Sequence, residues 1–163
     1  MNEPPVLGSV DRSAASVTLE RNLPASPAEV WTALTDPTRL AAWLGPVANG
    51  APGPDQSFVL AMSADEAAAC QVITWDPEHE LRLVWDYTGE GPSELVLLLD
   101  GDRDRTHLTL IHTKLPVDPV QYGAGWHVHL DQLVAHLTGS NPHGDFMAAY
   151  HAIEPRYEAI AGT

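Results

Sequence analysis

The strongest constraint on this chain is a change of period. Between Ser57 and Lys114 apolar and polar residues alternate in short segments, and after Pro119 the apolar residues recur every three or four positions instead. Alternation sends side chains to the two faces of a strand, whereas a three-or-four step lines them along one side of a helix. Ser57–Ser63 sets Phe58, Leu60 and Met62 on one face. Ala69–Asp76 sets Cys70 and Val72 opposite Ile73 and Trp75, and Glu80–Tyr87 groups Leu81, Leu83, Trp85 and Tyr87. Glu94–Asp100 is apolar on both faces, and Thr106–Lys114 carries Leu108, Leu110 and His112 together. Asp76-Pro77-Glu78-His79, Gly89-Glu90-Gly91-Pro92 and Asp100-Gly101-Asp102-Arg103 are turn sequences, so the segments form an antiparallel meander. Tyr122, Trp126, His129 or Leu130, Leu133 and Leu137 then mark one long amphipathic helix that ends at Gly139.

Upstream of the meander, Ser16–Asn22 alternates as a half-buried strand, and Ser26-Pro27-Ala28-Glu29 has the cap serine, proline and glutamate of a capping box. Val30, Trp31 and Leu34 supply the apolar side of the helix that follows. Asp36-Pro37 breaks it and caps a second short helix running to Leu44, ended by Gly45-Pro46. Residues 46–56, with three prolines and two glycines, read as a loop or a ragged edge strand. Residues 1–15 read as a flexible leader, in part a strand extension. Residues 140–163 read as a helical appendage in which Phe146, Ala149, Tyr150 and Ile153 keep helical register until Pro155 interrupts it. The expectation is an α+β chain with one domain over 16–139: a curved antiparallel sheet of about six or seven strands around a long C-terminal helix, with two short helices after the first strand. The helix is the one element able to cover the apolar face of the sheet. A curved sheet closing on a single helix is hard to fill with side chains, so a cavity is expected between them.

Charge enters as an excluding argument. The formal net charge of −14 repels nucleic-acid phosphates and anionic membranes, so neither nucleic acid nor membrane insertion is expected. No run of about 18 uncharged apolar residues occurs. The single cysteine, Cys70, allows neither an internal disulfide nor a multi-cysteine metal site, and Met1–Ala15 lacks a basic start followed by an apolar stretch. A cytoplasmic setting is expected.

Two stretches carry a family resemblance. Leu19-Glu20-Arg21-Asn22-Leu23-Pro24-Ala25-Ser26-Pro27-Ala28-Glu29-Val30-Trp31, continuing through Leu34-Thr35-Asp36-Pro37 to Leu40-Ala41-Ala42-Trp43-Leu44, resembles the opening of the START-like, or SRPBCC (Bet v 1-like), superfamily. Within it the resemblance is nearest to the family named after the activator of the heat-shock-protein-90 ATPase, as a bacterial single-domain member. Gly125-Trp126-His127-Val128-His129-Leu130-Asp131-Gln132-Leu133 is similar to the stretch that opens the final helix there, and Ile153-Glu154-Pro155-Arg156-Tyr157 resembles the tail of some members. The resemblance implies a helix-grip fold with a hydrophobic ligand cavity. The superfamily includes lipid and hormone carriers, polyketide cyclases, ring-hydroxylase subunits and co-chaperone domains, so it implies architecture more closely than activity. Chaperone interaction is not expected, because the eukaryotic co-chaperone works with a second domain.

Eight histidines invite a metal or acid–base reading. His127 and His129 lie about 200° apart around a helix and cannot grip one ion, and His129 and His136 are two turns apart. No metal is expected. His112 and His129, with Tyr87, are the acid–base candidates, but Asp86 is out of phase with Trp85 and Tyr87, so the nearest carboxylate points away. Cys70 has no nucleophile signature around it, and no glycine pattern for phosphates occurs, so no cofactor is expected. The leading expectation is a non-enzymatic protein that holds a small or medium hydrophobic ligand. Its cavity is expected to be lined by Phe58, Met62, Leu83, Trp85, Tyr87, Leu97, Leu110, His112, Trp126, His129 and Leu133. The alternatives are a cyclase- or hydrolase-type enzyme using His112 or His129, and a co-chaperone-like interaction module. Sheet edges and the appendage leave room for a homodimer.

Overall fold

The computed structural model describes residues 6–140 and 145–161. Eight strands form one antiparallel sheet: β1 (Ser9–Asp11), β2 (Ser16–Leu23), β3 (Val47–Gly50), β4 (Ser57–Ala61), β5 (Ala67–Asp76), β6 (Glu80–Tyr87), β7 (Gly91–Gly101) and β8 (Thr106–Thr113). Their order across the sheet is β1-β2-β8-β7-β6-β5-β4-β3, so the meander from β3 to β8 is closed by β2 pairing back onto β8. Two short helices, α1 (Pro27–Thr35) and α2 (Pro37–Trp43), connect β2 to β3, the long α3 (Pro119–Thr138) follows β8, and α4 (Phe146–Ala161) ends the described chain. This is the helix-grip arrangement, with two strands beyond the clear alternating segments. β1 lies within the leader and pairs with β2 from Ser9↔Thr18 to Asp11↔Ser16, and β3 lies in the proline-rich stretch. Both are short edge strands, too brief to show a period.

Local signals explain the helix starts. Ser26 Oγ accepts the Glu29 backbone N–H at 3.2 Å, and Asp118 Oδ1 accepts that of Val120 at 3.2 Å, each one residue before a helix that opens on proline. Asp36 departs from expectation: its side chain makes no cap bond, and α2 starts from the Asp36 carbonyl accepting Leu40 N–H at 2.9 Å. At the end of α3, Gly139 takes the left-handed conformation (φ 70°) and Ser140 N–H returns to the Ala135 carbonyl.

Pro155 does not end the last helix. α4 runs through it to Ala161, with Ile153 and Tyr157 buried on either side of the proline. An interior proline costs about 3 kcal/mol of helix stability, and burial of these two side chains against the fold opposes that cost. Gly123 makes the close packing of α3 and α4 feasible, since a Cβ there would lie 2.9 Å from the Tyr157 ring. The main core lies between the sheet and α3. Val17, Leu19, Leu83, Trp85, Leu95, Leu97, Leu108 and Leu110 meet Trp126, Leu130 and Leu133, and α1 and α2 close one side with Val30, Leu34, Leu40 and Trp43.

Candidate functional site

The space between sheet and helix is lined by twelve side chains: Leu34, Leu40, Trp43, Leu44, Phe58, Leu60, Leu81, Leu83, Trp85, Leu95, Leu97 and Trp126. All carry apolar bodies, and all are buried except Leu44, the residue at the end of α2, which is partly exposed. The cavity they enclose is about 20 Å³. That holds about one water, whereas sites for drug-sized ligands measure roughly 300–1,000 Å³. Side chains therefore fill the expected cavity more completely than sheet curvature alone suggests. Two larger hollows, around Asn22 and His107 and around Gln71 and Asp86, are open to solvent.

Five of the expected lining residues, Phe58, Leu83, Trp85, Leu97 and Trp126, do border this space. Leu110, His112 and Leu133 are fully buried outside its lining, and Met62, Tyr87 and His129 are partly exposed. The sequence reading missed the contribution of α1 and α2. Leu34, Leu40, Trp43 and Leu44 form one wall, and their apolar spacing over Leu34–Leu44 was the available signal.

Beside the chamber stands a cluster of rings with a defined hydrogen-bond order. Ser93 Oγ donates to the Trp85 carbonyl at 3.0 Å and lies 2.6 Å from His112 Nε2, so the imidazole gives its proton to Ser93. Trp126 Nε1 donates to His112 Nδ1 at 3.0 Å. Both nitrogens are thus engaged in a neutral ring, and burial lowers the pKa of His112 to about 3. Tyr122 stacks edge-on to His112 at 4.7 Å between centroids and gives its hydroxyl proton to Glu90 at 2.5 Å. Burial raises the Tyr122 pKa, and Glu90 adds to it. The Trp85 indole, close by but outside hydrogen-bond geometry, acts in the opposite sense. Trp85 Nε1 is buried and makes no hydrogen bond among the described residues. Such an orphan donor costs about 1–3 kcal/mol.

His129 behaves differently. Its Nδ1 donates to the Trp43 carbonyl at 3.2 Å, tying α3 to the end of α2, and its ring lies 4.6 Å from that of Phe146 at the start of α4. Desolvation lowers its pKa to about 4, against a smaller upward pull from the Trp43 carbonyl. Tyr87 has its pKa raised, chiefly by desolvation and then by Glu66, Glu90 and Asp65. Asp86 is exposed on the other face of β6. His112, His129 and Tyr87 share no hydrogen bond in the described structure. Cys70 is buried, and desolvation raises its thiol pKa to about 12.

A second polar centre lies on another side of α3. His127 is buried, with Tyr157 Oη at 2.8 Å from Nδ1, Arg21 Nη2 at 3.3 Å from the same atom, and Asp131 Oδ2 at 3.6 Å from Nε2. Gly8 N–H donates to the Tyr157 hydroxyl at 3.0 Å, leaving the phenolic proton for His127. The sequence reading set His127 aside as a metal ligand and gave it no other role. The available clue was Arg21, a charge in phase with Val17, Leu19 and Leu23 on the buried face of β2. Among the described residues no group of three or more potential ligands could hold a metal ion, and no helix is long and apolar enough to cross a membrane.

Comparison with solved structures gives the same architecture. CalU16 from Micromonospora echinospora matches at 25% identity over 96% of this chain and 98% of its own, with a TM-score of 0.76. DynU16, a protein of the dynemicin biosynthetic locus, matches at 25% identity with a TM-score of 0.70, over 78% of this chain and 49% of its own. The Aha1 dimer from Colwellia psychrerythraea shares the fold at 19% identity and a TM-score of 0.63, covering 75% of this chain and 95% of its own. No curated protein is similar enough to count as a match. The family model described as Activator of Hsp90 ATPase homolog 1-like protein matches residues 24–138, from the entry to α1 to the last residue of α3. With most of the chain inside that match, and with the helix-grip sheet and helix present, the protein belongs to the Activator of Hsp90 ATPase homolog 1-like family.

Proposed function

We propose that this protein binds a small or medium apolar molecule between the concave face of its sheet and α3, without catalysing a reaction. The observation that carries this reading is the lining itself. Twelve convergent apolar-bodied side chains surround a space whose one partly exposed wall, Leu44, sits at the end of a seven-residue helix. The enclosed volume is small, so binding requires that wall to move outward. α2 is suited to this: it has no side-chain N-cap, and two polar ties anchor its Trp43, Nε1 to the Ala33 carbonyl at 2.8 Å and the backbone carbonyl to His129. A ligand that binds the open form better than the closed one shifts the population toward it.

The absence of chemistry is argued from the histidines. A general base needs a free lone pair within reach of a substrate. His112 offers none, because Trp126 occupies Nδ1 and Nε2 faces Ser93, and His129, which keeps a lone pair on Nε2 while Nδ1 donates to Trp43, lies outside the chamber lining. The similarity to DynU16 supports a biosynthetic product as ligand, and aromatic polyketides are the class to screen first. Residues 16–139 hold the whole proposed chamber, and the single buried Cys70 suits a reducing cytoplasm.

The test is native mass spectrometry of protein purified without denaturation, followed by thermal-shift screening of aromatic polyketides and lipids. The expected result is a retained small molecule or a rise in melting temperature with one class. No retained molecule and no shift with any compound would overturn the proposal.

A further inference from the structure

In the proposed chamber and the ring cluster beside it the polar side-chain atoms are almost all committed. Trp43 Nε1 donates to Ala33, Trp126 Nε1 to His112, Ser93 to the Trp85 carbonyl and Tyr122 to Glu90. The exception is Trp85 Nε1, on a cavity-lining residue 2% exposed: it makes no hydrogen bond among the described residues, and the Tyr122 hydroxyl beside it gives its own proton to Glu90. A water there would be poorly held. A buried water needs two to four polar partners, and the other two indole N–H groups of the lining already have theirs. A molecule with an apolar body and one acceptor atom meets the same donor without that deficit.

We infer that the Trp85 indole N–H is the polar anchor of the chamber, taking a carbonyl oxygen on an otherwise apolar, aromatic ligand. The surrounding rings suit such a skeleton. Trp126 lies 5.3 Å from Trp85 between centroids, tilted by 59°, and His112 lies 5.9 Å away edge-on, so the walls beside the donor are aromatic. The Glu90 carboxylate beside this cluster is already engaged by Tyr122. An anionic ligand would meet that negative charge and no cation in the lining, which favours a neutral carbonyl over a carboxylate. This inference rests on the ligand-binding reading above and names the chemistry that site selects.

The experiment uses the full chain and two probes of nearly the same shape, benzophenone and diphenylmethane, which differ by a carbonyl in place of a methylene. Binding is measured by isothermal titration to the unaltered protein and to Trp85→Phe, which keeps a ring and removes the N–H. The expected result is benzophenone binding about tenfold tighter than diphenylmethane, with that ratio falling toward one in Trp85→Phe while diphenylmethane affinity stays within about twofold. Equal binding of both probes to the unaltered protein overturns the inference and leaves the ligand-binding reading intact. A preference for benzophenone that survives in Trp85→Phe also overturns it. Binding of neither probe overturns the inference, while the ligand-binding reading stands or falls on the retained-molecule and thermal-shift test above. Should Trp85→Phe fail to fold, the probe ratio in the unaltered protein decides, together with the indole N–H resonance of Trp85, which must shift with benzophenone and stay in place with diphenylmethane.

Discussion

Trp126 Nε1 donates a hydrogen bond to His112 Nδ1 across 3.0 Å, from the long helix to the interior strand β8, with both side chains buried. This bond joins the two layers at the centre of the fold and takes up the lone pair that base catalysis would use. Trp126→Phe keeps a ring but leaves His112 Nδ1 without its donor. The expected cost is about 1–3 kcal/mol, read as a lower urea midpoint at unchanged slope. An unchanged midpoint would show that the bond contributes nothing net.

Acid stability follows from the two depressed histidines. His112 falls from 6.5 to about 3 and His129 from 6.5 to about 4, so below pH 6.5 the unfolded chain binds protons that the folded one refuses. Stability is therefore complete above the unfolded value and declines as pH falls, by up to about 1.4 kcal/mol per pH unit for each histidine. The carboxyls of Asp11, Glu94 and Asp118 are also lowered from ordinary values of 3.8, 4.5 and 3.8, so their contribution is lost further toward acid. Urea unfolding at pH 6.5 and pH 5 separates the two effects. His112→Gln is expected to lessen the loss over that interval, and an unaltered slope would refute the assignment.

The tie between His129 and the Trp43 carbonyl makes a prediction about motion. His129→Phe retains a ring against Phe146 and removes the donor to α2. Amide hydrogen exchange over Leu40–Leu44 is expected to quicken about fivefold or more, with the central strands β6 to β8 unchanged. Equal protection in both proteins would mean that packing alone holds α2.

Gly123 and Tyr157 give a test of the α3–α4 contact. A methyl group at position 123 would sit 2.9 Å from the Tyr157 ring, which is fully buried between Gly8 and His127. Gly123→Ala is expected to destabilise by about 1–3 kcal/mol despite the better helix propensity of alanine. A gain in stability would show that Tyr157 moves aside freely. The double variant with Tyr157→Leu should recover part of the loss, read by thermal unfolding.

Much of the architecture was legible from local pattern. The alternation through Phe58, Leu83, Trp85 and Leu110, and the step through Trp126, Leu130 and Leu133, each reflect the geometry of one element. Such periods survive in the sequence because every residue of a strand or helix repeats the same choice of face. The start at Ser26 is equally local, since a cap reaches only two or three residues.

What the sequence by itself determined was therefore the elements and the faces they bury, and so the helix-grip architecture. Tertiary structure decided which of those buried residues meet. It placed α1 and α2 in the chamber wall, filled the chamber nearly to closure, and carried α4 through Pro155 because Ile153 and Tyr157 are buried on either side. It also chose the partners of each histidine: Ser93 and Trp126 for His112, Trp43 for His129, and Tyr157 with Arg21 and Asp131 for His127. Those partners are up to 106 positions apart in the chain. A periodic pattern records burial, whereas a hydrogen bond depends on distance and direction between elements, and these exist only once the sheet has curved around the helix.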